Sequence, residues 1–196
     1  MEQTTNGNHE ETIRETIRAS IDAKEKLSDI GPSSILRMAN LIAEALSHGR
    51  KVLVFGNGGS AADAQHFAAE LVGRFRRPRQ PLRVMALTTN SSIITAIGND
   101  FGFDEVFSRQ IRAYADNGDI VVAISTSGQS KNVLKAVKEA TGLGATTIGL
   151  TGGNGGELAS ICQHSIVVPD QDVQRIQECH ILISHIVCDL VEQMMT

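Results

Sequence analysis

The feature that most narrows the fold is a rhythm that begins at residue 51. Five short runs rich in β-branched residues are "KVLVF" (51–55), "LRVMAL" (82–87), "DIVVAI" (119–124), "TTIGL" (146–150) and "HSIVV" (164–168). Between and after them lie stretches at helical spacing: "AADAQHFAAELVGRF", "SSIITAIGND", "DEVFSRQIRAYA", "SKNVLKAVKEATG" and a long final "DVQRIQECHILISHIVCDLVEQMM". Alternation of strand and helix predicts a parallel sheet covered on both faces. Right-handed crossovers then make a doubly wound sheet. The expected fold class is α/β, a three-layer sandwich with a five-stranded parallel sheet over residues 49–196.

Residues 1–48 precede this rhythm. Residues 1–8 read as a disordered tip. "HEETIRETIRASIDAKEKLS" places Ile13, Ile17, Ile21 and Leu27 at helical spacing, and "GPSSILRMANLIAEALSHG" gives a second amphipathic helix opened by Pro32 and stopped by Gly49. Two helices cannot bury two apolar stripes against each other alone, so they are expected to pack on the core or on a neighbouring subunit. Net charge is −4 and aromatics make up 4% with no Trp, which argues against a nucleic-acid surface or a base-stacking platform. The cysteines, Cys162, Cys179 and Cys188, form no CxxC pair and are odd in number, as expected of reduced cytoplasmic thiols. The polar, acidic N-terminus does not read as a secretory signal, and no apolar run reaches the length of a membrane span.

Ligands of such a sheet bind beyond the carboxyl ends of the strands. There, after the third strand, "STSGQS" places Ser125, Thr126, Ser127 and Ser130 around Gly128 and opens a helix. The first N–H groups of that helix lack partners and carry positive partial charge, and the hydroxyls add donors, so the loop suits a phosphate. A single hydroxyl would be ordinary capping; four favour an anion. No GxxxxGK[ST] pattern is present, so a sugar phosphate fits better than a nucleoside triphosphate.

After the first strand, "FGNGGSAADA" matches G-x-G-x-x-G/A through Gly56, Gly58 and Ala61. A dinucleotide also calls for an acidic residue near the end of strand two, and "MALTTNSS" supplies none. The remaining readings are a tight turn capped by Ser60, or a contact of Asn57, Gly58 and Gly59 with sugar oxygens. The helix beyond carries His66 and Glu70 four apart on one face, either a plain polar pair or two ligands of Zn²⁺. The final helix sets Gln177, His180 and His185 among Ile176, Ile181, Ile183, Ile186 and Val187. Polar groups on so apolar a helix need partners, in the core or in a site. Gln177 and His185 stand about 12 Å apart along the axis, so a site using both is expected where subunits meet.

Five segments, "FGNGGSAADAQHFAAEL", "GNDFGFDEVFSRQ", "ISTSGQSKNV", "LTGGNGGELA" and "RIQECHILISHI", together resemble the sugar isomerase (SIS) domain family, and within it the bacterial phosphoheptose isomerases. The resemblance covers nearly the whole chain and implies a flavodoxin-like sandwich assembled as a homotetramer with active sites at subunit interfaces. It implies a cytoplasmic enzyme that interconverts sedoheptulose 7-phosphate and D-glycero-D-manno-heptose 7-phosphate, early in the route to ADP-heptose and lipopolysaccharide heptose. It places one Zn²⁺ per subunit on His66, Glu70, Gln177 and His185. The phosphate hydroxyls it implies are Ser125, Thr126, Ser127 and Ser130; other substrate contacts fall on Asn57, Gly58, Gly59, Asn99 and Asp100. The rival within the family is a non-catalytic protein that binds the replication initiator. In such proteins the glutamate and last histidine are typically replaced, whereas Glu70 and His185 stand here.

Aldose–ketose isomerisation moves a proton between C1 and C2 and needs a base and an acid beside the carbonyl–hydroxyl pair. Glu70 is the expected base, its pKa raised by apolar surroundings, and His185 the expected acid. Asp100 and Gln177 are candidates for holding sugar hydroxyls. His180 is expected to support the site or pack in the core. The cluster "RFRRPR" (Arg74, Arg76, Arg77, Arg79) reads as a solvated loop, with steering of an anionic substrate as the alternative.

Overall fold

The computed structural model describes residues 3–196, with side chains from Asn8 onward. Five parallel strands, β1 (Val52–Gly56), β2 (Val84–Ala86), β3 (Ile120–Ile124), β4 (Thr146–Gly152) and β5 (His164–Val168), form one sheet in the order β2-β1-β3-β4-β5. The order reverses direction between β1 and β3, which is where a sheet of this kind opens a crevice beyond its carboxyl edge. The strands are apolar on both faces because both are covered. Val52, Val54, Ile120, Val122, Ile148 and Leu150 belong to one core, and Leu53, Phe55, Val121 and Ala123 to the other. Successive side chains of one strand thus feed opposite layers. Of "LRVMAL" only three residues pair in the sheet, at its edge.

The first layer holds α1 (Gln3–Ile30), α2 (Pro32–Ser47), α3 (Gly59–Val72) and α8 (Val173–Met195); the other holds α5 (Ser108–Tyr114), α6 (Lys131–Gly142) and the short α7 (Gly156–Ile161). Helix α4 (Ser91–Phe101) follows β2, and a 3₁₀ turn (Phe103–Glu105) divides it from α5. Of the disordered tip expected over residues 1–8, residues 1 and 2 lie outside the described residues, and from Gln3 the backbone is helical.

The N-terminal helices pack on the core of this chain only in part. Ala23 and Leu27 of α1 are buried, but Ile13, Ile17, Ile21 and Ile30 are all at least half exposed. Periodicity marked the stripe, and this chain covers only its C-terminal end. An apolar cleft of about 340 Å³, lined by Leu27, Pro32, Ile35, Leu36, Ile186 and Leu190, continues it. Among the described residues no helix is long and apolar enough to cross a membrane. Cys162, Cys179 and Cys188 are free.

His180 is fully buried, its Nε2 3.2 Å from the Thr151 carbonyl oxygen, as expected of a core histidine. Burial lowers its pKa to about 4, partly offset by that hydrogen bond. The unfolded chain therefore takes up a proton that the folded chain refuses as pH falls from about 6.5 to 4. Stability is lost over that window, by about 3 kcal/mol at its foot. Asp63 works the other way. Burial raises its carboxyl to about 6 against the pull of His66, so protonation there restores part of the loss. Thermal melts of wild type and His180→Gln between pH 7 and 4 are expected to converge in acid, the variant losing less; parallel curves would refute this role for His180.

Candidate active site

Helix α3 starts where β1 turns sharply. A side chain at Gly56 would press on the Ile124 carbonyl oxygen and on Ser60, each at 2.7 Å, and Gly58 has φ +54°. These glycines let the backbone drop straight from strand into helix. Asn57 does not simply point outward. Its amide exchanges two 2.9 Å hydrogen bonds with the amide of Asn132, in the first turn of α6. The turn after β1 and the loop after β3 are thereby tied across the crevice. Asn132 was missed in the sequence because its partner lies 75 residues away.

The hydroxyl loop follows β3 and opens α6. Ser125 is buried and its Oγ lies 3.1 Å from Ser130 Oγ. Ser130 is the N-cap residue of α6, yet its side chain makes no capping bond. Ser127 Oγ accepts from the Gln129 N–H, while Thr126 and Ser127 border a cavity of about 310 Å³ with Gly152, Gly153 and Asn154. Capping thus does not account for the Ser130 hydroxyl. The loop is braced from behind by the end of β4 and by α7: Gly152 N–H donates to the Thr126 carbonyl, and Leu158 N–H to that of Gly128.

Helices α3 and α8 lie side by side and run in one direction. Gln177 packs on Gly59, His185 meets His66 about two turns further along each helix, and Glu192 reaches the chain just past α3. Between them three ligand atoms converge. His66 Nε2 is 3.1 Å from Glu70 Oε1 and 3.0 Å from His185 Nε2, and one ligand atom from each of the three lies within 4.8 Å of the others. A neutral imidazole has one N–H, so His66 Nε2 cannot satisfy both neighbours. Two imidazole nitrogens and a carboxylate oxygen converging in this way are a donor set that suits a cation. The plain polar-pair reading of His66 and Glu70 leaves His185 unexplained.

Other expected residues lie apart from this centre. Gln177 lies against Gly59, about 12 Å along α8 from His185. Asn99 and Asp100 are exposed at the end of α4, hydrogen-bonded to each other at 2.8 Å. The apolar enclosure expected around Glu70 is incomplete, its side chain remaining 26% exposed. Phe75, which the sequence gave no reason to single out, lies with its ring 5.7 Å from that of His185. The solvated reading of the arginine cluster holds for Arg74, Arg76 and Arg77 but not Arg79, whose side chain is buried against Glu192.

Residues 17–152 match the SIS domain model. The phosphoheptose isomerase of Aquifex aeolicus is 51% identical over 184 residues, 94% of this chain and 96% of that protein. That of Geobacter sulfurreducens is 54% identical over 181 residues, 92% of this chain and 96% of that protein. The structure of phosphoheptose isomerase GmhA from Neisseria gonorrhoeae superposes with a TM-score of 0.90 at 44% identity, covering 94% of this chain and 98% of that one. A phosphoheptose isomerase from Francisella tularensis gives 0.91 at 40% identity, covering 93% and 97%. Identity sustained over nearly the full length, on a superposable backbone, places this chain in the phosphoheptose isomerase family of SIS-domain proteins.

Proposed function

We propose that this chain is an aldose–ketose isomerase that interconverts sedoheptulose 7-phosphate and D-glycero-D-manno-heptose 7-phosphate. The observation that carries the reading is the convergence of His66, Glu70 and His185 on helices that rise from the sheet's ligand-binding edge. The phosphate is held by Ser125, Thr126, Ser127 and Ser130 with the first N–H groups of α6. Remote binding of that kind orients the reacting carbons. Asn57, Gly58 and Gly59 bound the sugar on the β1 side, and Asn99, Asp100 and Gln177 complete its contacts. Glu70 takes the proton from C1 of the ketose and returns it to C2, through a cis-enediol. His185 moves the hydroxyl proton between O1 and O2, so the step balances with no outside reactant.

His66, Glu70 and His185, joined by Gln177, would hold Zn²⁺, which when bound supplies charge to polarise the carbonyl oxygen. Within one chain, Gln177 and His185 stand about 12 Å apart along α8, a long reach for two ligands of one ion. This supports a homotetramer in which the site is completed at a subunit interface, with the bare stripe of α1 and the cleft beside α8 as interface surface. We place residues 1–48 as the assembling segment and 49–196 as the catalytic SIS domain. The three free thiols support the cytoplasm as its location. The initiator-binding alternative finds no support in these relatives, and it leaves the metal-type donor set without a purpose.

Incubation of the purified protein with sedoheptulose 7-phosphate, followed by NMR, tests the reading. The aldose heptose phosphate is expected to form. A chelator is expected to cut the rate at least about tenfold, and added Zn²⁺ to restore it. Capture of a replication initiator without isomer formation would overturn the proposal.

A further inference from the structure

Glu192 is fully buried near the end of α8, two turns past His185. Its carboxylate accepts the backbone N–H groups of Phe75 at 3.0 Å and of Arg76 and Arg77 at 2.7 Å. Burial alone would push this carboxyl up, but those three donors and the Arg79 charge hold it below the ordinary range. The Arg79 side chain is 4% exposed, with Nε 3.2 Å from Glu192 Oε1, an ion pair without the alignment of a hydrogen bond. Its two terminal nitrogens donate to the carbonyls of Leu71 at 2.8 Å and Glu70 at 2.9 Å. These are among the carbonyls that the last turn of α3 leaves without helical partners. A planar guanidinium can bridge a carboxylate and two carbonyls at once, which an ammonium cannot do in one plane. So one fork grips the residue that carries the proposed base, and the same fork is anchored on the helix that carries the proposed acid. Phe75, pinned by the same carboxylate, lies against the His185 ring.

We propose that Arg79 and Glu192 form a buried clamp that sets the spacing between Glu70 and His185, both acting as positioning residues for that pair; the inference rests on the reading of the pair given above. The clamp touches neither substrate nor ion. It acts through the backbone of Glu70 on one side and through Phe75 on the other. The arginine of the loop that counts is the one withdrawn from solvent, not those free to steer a substrate.

The test compares Glu192→Gln, Arg79→Gln and the milder Phe75→Leu with wild type. Melting temperature, Co²⁺ affinity by visible absorption, and kcat and KM for sedoheptulose 7-phosphate are read on each. The clamp requires the two charge variants to bind Co²⁺ about 10- to 100-fold more weakly, as partners behind metal ligands do. It also requires a fall in kcat of similar size with KM within about threefold, because the phosphate loop is untouched. Folded variants with a lower melting temperature but unchanged Co²⁺ affinity and kcat would overturn it. If the charge variants do not fold, Phe75→Leu decides: a drop of about fivefold or more in both readouts supports the clamp, and anything smaller overturns it. A wild type that binds Co²⁺ without isomerising sinks the isomerase reading and leaves the clamp to the Co²⁺ arm. A wild type that does neither sinks both.

Discussion

Glu70→Gln is expected to cut turnover by about a thousandfold, some 4 kcal/mol of activation free energy, while KM for sedoheptulose 7-phosphate moves by no more than about threefold. The amide keeps the size of the carboxylate but cannot accept a proton from carbon. The phosphate anchor lies on another element, after β3, so binding of the ketose survives. The fold survives as well, because the clamp holds Glu70 by its backbone carbonyl and not by its side chain. Exchange of the C1 proton with deuterated solvent separates the causes. If Glu70 is the base, exchange disappears along with turnover. A variant that retains exchange within a few-fold of wild type, or turns over normally, ends the assignment. The same substitution removes one of three converging donors, so weaker Co²⁺ binding is expected alongside.

Much of this arrangement was legible in the sequence, for reasons that also mark where legibility stopped. Strands β1, β3 and β4 declared themselves because both their faces are buried; β5 was legible although it lies at an edge, whereas β2, at the other edge, pairs over only three residues of its longer run. The hydroxyl loop was visible because four hydroxyls at a strand end exceed what capping requires. His66 and Glu70 were visible as a helical i,i+4 pair. His180 and His185 were separable in role because five residues turn a helix by about 140°, sending one into the core and the other to α3. What stayed hidden was pairing across distance. Asn57 with Asn132, and Arg79 with Glu192, are each joined by tertiary packing over more than seventy residues. Arg79 in particular looks like its neighbours in "RFRRPR", and only the position of Glu192 distinguishes it. The α1 stripe shows the converse limit: periodicity fixes which face of a helix is apolar, but not what covers it.

Gly128→Ala is expected to damage stability and binding together. Gly128 has φ +64°, a conformation costing a side chain about 1 kcal/mol or more. The added Cβ would also drive into the Gly155 carbonyl oxygen and come within 2.8 Å of its carbon and 2.9 Å of Thr151 Oγ1. Those are backbone and fully buried neighbours, so they cannot swing aside as the end of a long side chain would. Overpacking of this kind adds about 1–3 kcal/mol. The sum, about 3 kcal/mol, corresponds to a fall of roughly 10 °C in Tm for a chain of this size. Relief can come only by displacing the loop from the turn after β4, which moves Ser127 and Ser130 relative to each other. KM for sedoheptulose 7-phosphate is therefore expected to rise at least about tenfold, with kcat less affected, the reverse of the split expected at Glu70. Gly142→Ala is the control. It ends the same helix, its Cβ would meet nothing within 4 Å, and its φ is not positive, so it should be neutral or slightly stabilising. A Gly128→Ala protein that melts with wild type and keeps its KM would show that the tight bend is not what holds the phosphate.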